Sequence, residues 1–133
     1  MIFIDSSAYI GILSPLDSNH KKALELSSQL IVRENTVITS YAVLGEVLTV
    51  GSMRYNRAAS IEFVKSIFES KTKIVSEDDV LIEKAFKIFQ KINDKDVGWV
   101  DCYSFAIIEY YKIDKVFSFD KDFKKHTKSK LLE

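Results

Sequence analysis

The chain has 133 residues, 47% of them hydrophobic, and a formal net charge of zero at pH 7. This length and apolar content suffice for one domain with a continuous core and argue against two independent domains, so we expect a single domain over residues 1–133. The lone cysteine, Cys102, excludes an internal disulfide and a cysteine-based zinc site and is expected to be a small core residue, while the balanced charge alone gives no sign of a nucleic-acid binder.

The chain begins with a short apolar run and then a helical pattern. Residues 2–4 are apolar and end at Asp5, which is typical of a strand buried on both faces of a parallel sheet. The run is too short for a signal peptide or a membrane span, so we expect a cytoplasmic protein without membrane contact. A helix is predicted over residues 6–13, capped by its leading serines and stopped by the single proline. Asp17 and Ser18 are candidate caps for a second helix.

The next segment repeats the strand and helix pattern. Residues 37–39 form a β-branched run and predict a second strand. A helix is predicted over residues 41–50, with Gly51 closing it. A further amphipathic helix is predicted over residues 57–69, and its buried side is marked by Ile61, Val64, Ile67 and Phe68.

The second half of the chain continues the alternation. Ser76 and Asp79 have the spacing of a capping box at the start of a helix. The predicted elements are a strand over residues 73–75, a helix over 76–92, a loop over 93–98, a helix over 99–112, a strand over 115–119 and a short helix beginning near Asp120. This order predicts an α/β fold with a central, mostly parallel sheet of four or five short strands covered by helices on both faces.

Four acidic residues have informative positions in such a fold. Asp5 and Asp120 follow strands, and ligands of parallel sheets bind beyond the carboxyl ends of the strands. Asp101 begins a helix after a polar loop, and Glu46 lies in an otherwise apolar helix. Taken singly, the strand-end acids could be helix caps, Asp101 could interact with the helix dipole, and Glu46 could face solvent. The combination points to one acidic crevice.

Four carboxylates in one crevice require a compensating cation. Two carboxylates about 4 Å apart repel by roughly 4 kcal/mol at an effective dielectric constant near 20. Mg²⁺ prefers oxygen ligands, takes one or two carboxylates directly and keeps waters that further acids can orient. A phosphodiester group can complete its coordination, so the expected reaction is metal-dependent phosphodiester hydrolysis.

The segments that carry the four acids resemble the acidic motifs of PIN domains. These segments are residues 2–7 (Ile-Phe-Ile-Asp-Ser-Ser), 39–48 (Thr-Ser-Tyr-Ala-Val-Leu-Gly-Glu-Val-Leu), 99–106 (Trp-Val-Asp-Cys-Tyr-Ser-Phe-Ala) and 116–123 (Val-Phe-Ser-Phe-Asp-Lys-Asp-Phe). They occur in the family's order and spacing over nearly the whole chain. The resemblance is strongest to VapC-like toxins of toxin–antitoxin pairs.

The resemblance implies a role for each acid. By position, Asp5 and Asp101 bind metal, and Glu46 and Asp120 complete a catalytic and metal-binding quartet. It further implies a three-layer α/β/α fold, endoribonuclease activity that depends on Mg²⁺ or Mn²⁺, a homodimer, and inhibition by a VapB-like antitoxin in the active-site groove. The alternatives are a catalytically silent PIN fold that binds RNA or protein, and a PIN nuclease of RNA processing without an antitoxin.

Substrate contacts are predicted in less detail. Ser6 lies beside the first acid, where relatives often carry a small polar residue, and Lys121 follows the fourth acid. Arg54, Tyr55 and Arg57 interleave phosphate-binding and base-stacking groups just beyond the helix that carries the second acid. A solvated surface is the alternative interpretation of these basic residues.

Several residues near the motifs allow two interpretations. Gly98 and Trp99 stand where many relatives carry a Ser or Thr before the third acid, so a hydroxyl is expected to be missing there. Asp122 could assist the fourth acid. Ser7 and Ser104 either place hydroxyls near the metal or only form hydrogen bonds within their helices.

Other functions fit the sequence less well. A phosphatase of the haloacid dehalogenase type needs a second acid where Ser7 stands, and a receiver domain gives no reason for Glu46. A metal-independent ribonuclease could use His20 and His126 as an acid/base pair, but their sequence settings give no sign that they converge.

Overall fold

The computed structural model describes residues 1–33 and 35–132, with Val32 described by its backbone only. In this part of the chain, strands and helices alternate. The strands are β1 (Ile2–Ile4), β2 (Val37–Ser40), β3 (Lys73–Val75), β4 (Lys115–Phe117) and β5 (Lys130–Leu131). The helices are α1 (Ser6–Leu13), α2 (His20–Val32), α3 (Tyr41–Arg54), α4 (Arg57–Phe68), α5 (Asp79–Lys91), α6 (Trp99–Tyr110) and α7 (Asp122–His126).

The five strands form one parallel sheet in the order β3-β2-β1-β4-β5. Its central residues, including Phe3, Ile38, Val116 and Phe117, are fully buried because helices flank the sheet. The predicted α/β fold is therefore confirmed. Cys102 is also fully buried, as expected. The periodicity did not locate the fifth strand, because two residues at the sheet edge are too short to produce a pattern.

The strand order changes direction at β1. From β1 the chain adds β2 and β3 on one side of the sheet and later adds β4 and β5 on the other side. Such a switch point leaves a crevice beyond the carboxyl ends of the two strands that meet there. Ile4 pairs with Phe117, and the backbone amide of Asp5 donates to the Phe117 carbonyl at 3.1 Å. The residues that follow β1 and β4 therefore lie side by side.

Helix α3 differs from its prediction at Gly51. The helix continues through this glycine to Arg54 instead of ending before it. A Cβ atom at position 51 would lie 2.5 Å from the Ser60 Oγ of α4, which is too close for any side chain. The glycine thus permits close packing of α3 on α4, and the prediction that it ends the helix is wrong.

Several predicted element ends are also wrong by a few residues. Helix α5 is capped by Asp78, whose side chain accepts from the Leu81 amide at 3.1 Å, and not by Ser76. Asp17 and Ser18 do not cap α2, which begins at His20 after Asn19. Helix α6 ends at Tyr110, and β4 ends at Phe117 because the next residues bond to the β1–α1 junction.

The buried side of α4 is narrower than predicted. Val64 and Ile67 are buried, whereas Ile61 is 48% exposed and Phe68 is 53% exposed. Phe68 instead contacts the Tyr41 ring at the start of α3, with ring centroids 6.2 Å apart. Among the described residues, no helix combines the length and apolarity that crossing a bilayer demands.

Candidate active site

Asp5 lies at the bottom of the crevice between β1 and β4. It is 2% exposed and caps α1. Its Oδ2 atom accepts hydrogen bonds from the Ser7 amide at 3.4 Å, the Ser7 hydroxyl at 3.1 Å and the Ser118 hydroxyl at 3.0 Å. Its Oδ1 atom is buried and has no hydrogen-bond partner in the described structure. Buried polar atoms are normally paired, so this oxygen is available to a ligand.

Two serine hydroxyls join the β1 and β4 ends of the crevice. Ser118 Oγ accepts from the Asp120 amide at 3.0 Å while donating to Asp5, and Ser7 Oγ accepts from the Phe119 amide at 2.9 Å. The loop that carries Asp120 is thereby fixed to Asp5. Ser118 was not among the site residues predicted from the sequence. The signal for it is its position one residue beyond β4, opposite Asp5, which becomes visible only once β1 is known to pair with β4.

Glu46 reaches the crevice from α3. Ser40 at the end of β2 caps this helix by accepting from the Val43 amide at 3.1 Å, which fixes where the helix begins. Val43 and Val47 are buried, while Glu46 between them is partly exposed. The Ser6 hydroxyl, one residue after Asp5, donates to Glu46 Oε1. This bond brings the predicted residues Ser6 and Glu46 together beside the first acid.

Asp101 belongs to the first turn of α6. Its Oδ2 atom accepts from the Gly98 amide at 3.1 Å, so the carboxyl group also caps the helix. The pKa of Asp101 is raised to about 7, mainly by burial and also by the charges of Asp5, Asp120 and Glu46, against the lowering effect of the Gly98 hydrogen bond. All three other acids of the predicted quartet therefore act on this one carboxyl group.

The pKa of Asp5 is raised to about 6. Burial is the main cause, and the charge of Glu46 adds to it, whereas the hydrogen bonds from Ser6, Ser118 and Ser7 oppose the shift. Asp5 and Asp101 thus both resist ionisation without a cation. Raised carboxyl pKa values that result from burial and like charge are typical of functional sites.

Asp122 lies at the edge of the acidic group. Its backbone amide donates to Asp120 Oδ1 at 2.9 Å. The pKa of Asp122 is raised mainly by partial burial, and next by the charge of Asp120 and a hydrogen bond with Asp120. The charge of Asp94 also raises this pKa, whereas His126 lowers it. Asp122 therefore interacts directly with the fourth acid.

The donor set suits a hard divalent cation. Within residues 1–33 and 35–132, no three His, Cys, Asp or Glu side chains are already arranged as the ligands of a metal ion. The charges of Asp5, Asp120 and Glu46 nevertheless each raise the pKa of Asp101, and Asp5 offers a buried oxygen without a partner among the described residues. Carboxylate oxygens are the ligands that Mg²⁺ and Mn²⁺ accept. Asp5, Asp101, Glu46 and Asp120 are the residues that could hold such an ion.

The predicted basic contacts lie at the surface. Arg54 ends α3, Arg57 begins α4 and Lys121 precedes α7, and all three are exposed. The Tyr55 hydroxyl between the two arginines donates to Asp17 Oδ1 at 2.9 Å, so it ties α3 to the segment before α2. In the described structure, no hydrogen bond or ion pair joins these residues to the four acids.

The other residues near the motifs have assigned contacts. The Ser104 hydroxyl is buried and donates to the Val100 carbonyl at 2.9 Å, which is a bond within α6. Trp99 is 39% exposed and contacts Phe89 and Tyr103, with ring centroids 6.4 and 6.5 Å apart. Gly98, where a hydroxyl was expected to be missing, contributes its backbone amide to Asp101.

The two histidines have separate surroundings. His20 Nδ1 lies 2.8 Å from the Gly11 carbonyl of α1. The His126 ring packs against Phe105 of α6, with centroids 5.5 Å apart. Among the described residues, no hydrogen bond or ring contact joins the two imidazoles, which gives no support to an acid/base pair.

Ser118→Ala is expected to lower the free energy of unfolding by about 1–3 kcal/mol, because the partly buried Asp120 amide loses its acceptor and the buried Asp5 Oδ2 loses one of its donors. Urea denaturation measures the change. Ser27→Ala is the matched control, since Ser27 is only partly buried and donates only to the Leu24 carbonyl of its own helix. A Ser118 variant as stable as the Ser27 variant would show that the hydroxyl does not hold the site together.

Comparison with known proteins identifies relatives over almost the whole chain. The family model described as PIN domain matches residues 2–129. The 23S rRNA-specific endonuclease VapC20 of Mycobacterium tuberculosis is 26% identical over 123 residues, which cover 92% of this chain and 92% of VapC20.

Solved structures show the same fold. The crystal structure of M. tuberculosis VapC20, a toxin that cleaves the sarcin–ricin loop, superposes with a TM-score of 0.83 at 24% identity and covers 94% of each chain. FitAcB from Neisseria gonorrhoeae gives a TM-score of 0.71 at 16% identity, covering 100% of this chain and 97% of the other. VapBC2 from Rickettsia felis, bound to a promoter DNA fragment, gives 0.59 at 17% identity, covering 99% and 98%. With four acidic motifs in order and a family match to residues 2–129, the chain belongs to the PIN domain family.

Proposed function

We propose that this PIN domain is a metal-dependent endoribonuclease of the VapC type, which hydrolyses phosphodiester bonds in RNA. The main support for the proposal is that the pKa of the Asp101 carboxyl group is raised by burial and by the charges of Asp5, Asp120 and Glu46. Four carboxylates around one crevice suit cation-assisted phosphoryl chemistry. The similarity to VapC20, which is named an rRNA-specific endonuclease, supports RNA as the substrate.

The four acids are proposed to have different roles. Asp5 and Asp101 would bind the Mg²⁺ or Mn²⁺ ion directly, and Glu46 and Asp120 would complete the group of carboxylates around it. A bound divalent ion supplies Lewis-acid stabilisation of the negative charge that develops on the phosphoryl group. The unpartnered Asp5 Oδ1 supports the assignment of that residue as a ligand.

The neighbouring groups of the chain orient these acids. Ser7 and Ser118 fix Asp5 Oδ2, which leaves Oδ1 directed away from the serine bonds. The Ser6 hydroxyl holds Glu46, and the Gly98 amide holds Asp101. A carboxylate of the quartet that is not a direct ligand can accept the proton of the attacking water. The water oxygen then bonds to phosphorus, the bond to the leaving ribose oxygen breaks, and that oxygen takes up a proton.

The partners are proposed from the exposed basic residues and from similarity to solved structures. Exposed Arg54, Arg57 and Lys121, with Ser6, are proposed to contact the RNA around the cleaved bond. A homodimer and a VapB-like antitoxin are proposed from the similarity to toxin–antitoxin structures such as VapBC2. Cellular RNA as substrate implies action in the cytoplasm.

Purified protein is expected to cut RNA in the presence of Mg²⁺ or Mn²⁺ and to lose at least roughly 100-fold of that activity in EDTA, since loss of one major electrostatic contributor typically costs this much. Gel analysis of labelled RNA measures the cut strands, and adding back Mn²⁺ should restore them. Full cutting in EDTA would exclude the metal mechanism and return attention to histidine chemistry. RNA binding without cutting under any divalent ion would instead indicate a catalytically silent PIN module.

A further inference from the structure

A groove runs along α6, between α5 and α7. Its volume is about 850 Å³, within the range of about 300–1,000 Å³ that is typical of ligand pockets. We call it the lysine groove, and its walls include Ile88, Lys91, Phe105, Lys112, Lys125 and Lys128. The apolar residues come from α5 and α6, and the lysines line the rim, where all four are exposed.

The rim of the lysine groove carries uncompensated positive charge. The two acids that also line it are already paired: Glu109 lies 2.9 Å from Lys84, and Asp114 lies 4.0 Å from the N-terminal amine. In the described parts of the chain, none of the four rim lysines forms an ion pair. The whole chain has as many acidic as basic residues, so this is a local concentration of charge that fits an anion.

The α6 wall of the lysine groove starts at Phe105, one helical turn after Asp101 of the candidate active site. Asp101, Phe105, Ile108 and Lys112 follow one another at helical spacing and so share one side of α6 and its end. The 12 residues of this helix span about 18 Å. On the opposite wall, α7 starts two residues after Asp120 and ends at groove residues, with the His126 ring against Phe105. Both walls therefore lead from the catalytic acids into the groove.

A polyanion that approaches the acidic quartet needs positive charge nearby. The four carboxylates repel phosphates, so net attraction has to come from cations along the same path. The lysine groove supplies such cations along α6 and α7, beyond the acids, together with an apolar floor that can accommodate bases. We propose that the lysine groove binds the unpaired RNA strand that flanks the cleaved phosphate. This inference rests on the proposed nuclease function.

The test measures RNA binding apart from cleavage. In an Asp101→Asn background, a short unstructured RNA is titrated by fluorescence anisotropy at several salt concentrations. Adding Lys125→Gln and Lys128→Gln should weaken RNA binding roughly tenfold at low salt. The slope of the logarithm of the binding constant against the logarithm of the salt concentration should become shallower by about 1.4, since each phosphate contact to a single strand contributes about 0.7. The matched control carries Lys22→Gln and Lys65→Gln on α2 and α4, and its slope should stay unchanged.

The outcomes separate the two proposals. Equal slopes for the groove and control variants would overturn the groove assignment, while metal-dependent cutting by the wild type would still support the nuclease. Absence of that cutting would overturn the nuclease and, with it, the placement of the groove beside a cleaved phosphate. A change of molar mass in the groove variants, measured by light scattering, would assign the groove to a second copy of the chain. Stronger competition by polyglutamate than by RNA would assign it to an acidic peptide, and either result would overturn the RNA proposal.

Discussion

Asp101→Asn is expected to lower Mg²⁺-dependent RNA cleavage by roughly 10²- to 10³-fold, the scale on which loss of one preorganised electrostatic contributor acts. The substitution removes the negative charge from the carboxyl group that all three other acids influence. It keeps a side-chain oxygen that can accept a hydrogen bond from the Gly98 amide, so the start of α6 is preserved. The initial rate of cutting of a labelled RNA measures the effect, and circular dichroism verifies the fold.

Asp79→Asn provides the control for this experiment. Asp79 is also a first-turn acid, but it begins α5, is exposed and is absent from the charges that shift the pKa of Asp101. Its substitution should leave cleavage within about twofold of the wild type, as for an ordinary surface change. If Asp101→Asn retains the cleavage rate of this control, the acidic quartet is not the catalytic centre.

Without divalent ions, the protein is expected to become less stable as the pH rises from 4 to 7.5. The pKa of Asp5 is about 6 in the folded protein against 3.8 ordinarily, and that of Asp101 is about 7. The folded state therefore binds more protons than the unfolded state between these values, so its stability falls with rising pH. For buried Asp5 the difference corresponds to about 3 kcal/mol once ionisation is complete.

Divalent ions should reverse this loss at neutral pH. Mn²⁺ at 100 times its dissociation constant adds about 2.7 kcal/mol to the stability. The gain should be largest at pH 7.5 and should shrink at pH 5, where protons compete for Asp5 and Asp101. Urea denaturation at the two pH values, with and without Mn²⁺, measures both effects.

Asp5→Asn tests the origin of these effects. The variant keeps the size of the side chain but removes its charge, so the fall of stability with pH should become shallower and the Mn²⁺ gain should largely disappear. Asp96→Asn, in the exposed loop before α6, is the control and should behave as the wild type does. A Mn²⁺ gain that is equal in Asp5→Asn and wild type would place the metal away from Asp5.

Much of the fold follows from local patterns. The apolar run that stops at Asp5, the β-branched runs at residues 37–39 and 73–75, and the helical spacing between them determine where strands and helices form, since each depends on neighbours in the chain. Gly51 shows the limit of this reasoning. A glycine after a helical pattern usually suggests a helix end, but here its role is the close approach of Ser60 from another helix.

The acidic residues of the site could be selected from the sequence because each follows a strand or stands out in its helix. The electrostatic effect of these acids on one another could not be predicted from the sequence, because it depends on which strands become neighbours. Ser118 bonds to Asp5 across 113 positions of sequence, and Ser6 bonds to Glu46 across 40. The lysine groove is likewise formed by α5, α6 and α7, which are separate in the chain.

The sequence by itself thus determined the alternating elements and the parallel sheet and selected the four acids that are proposed as the site, because these depend on local periodicity and on motif order. Only the tertiary structure decided which oxygen of Asp5 is left without a partner, which hydroxyls orient the acids and where positive charge collects. These properties arise from the pairing of β1 with β4 and from the packing of helices on that pair. Distances between residues remote in sequence are fixed by such pairing and not by the residues themselves.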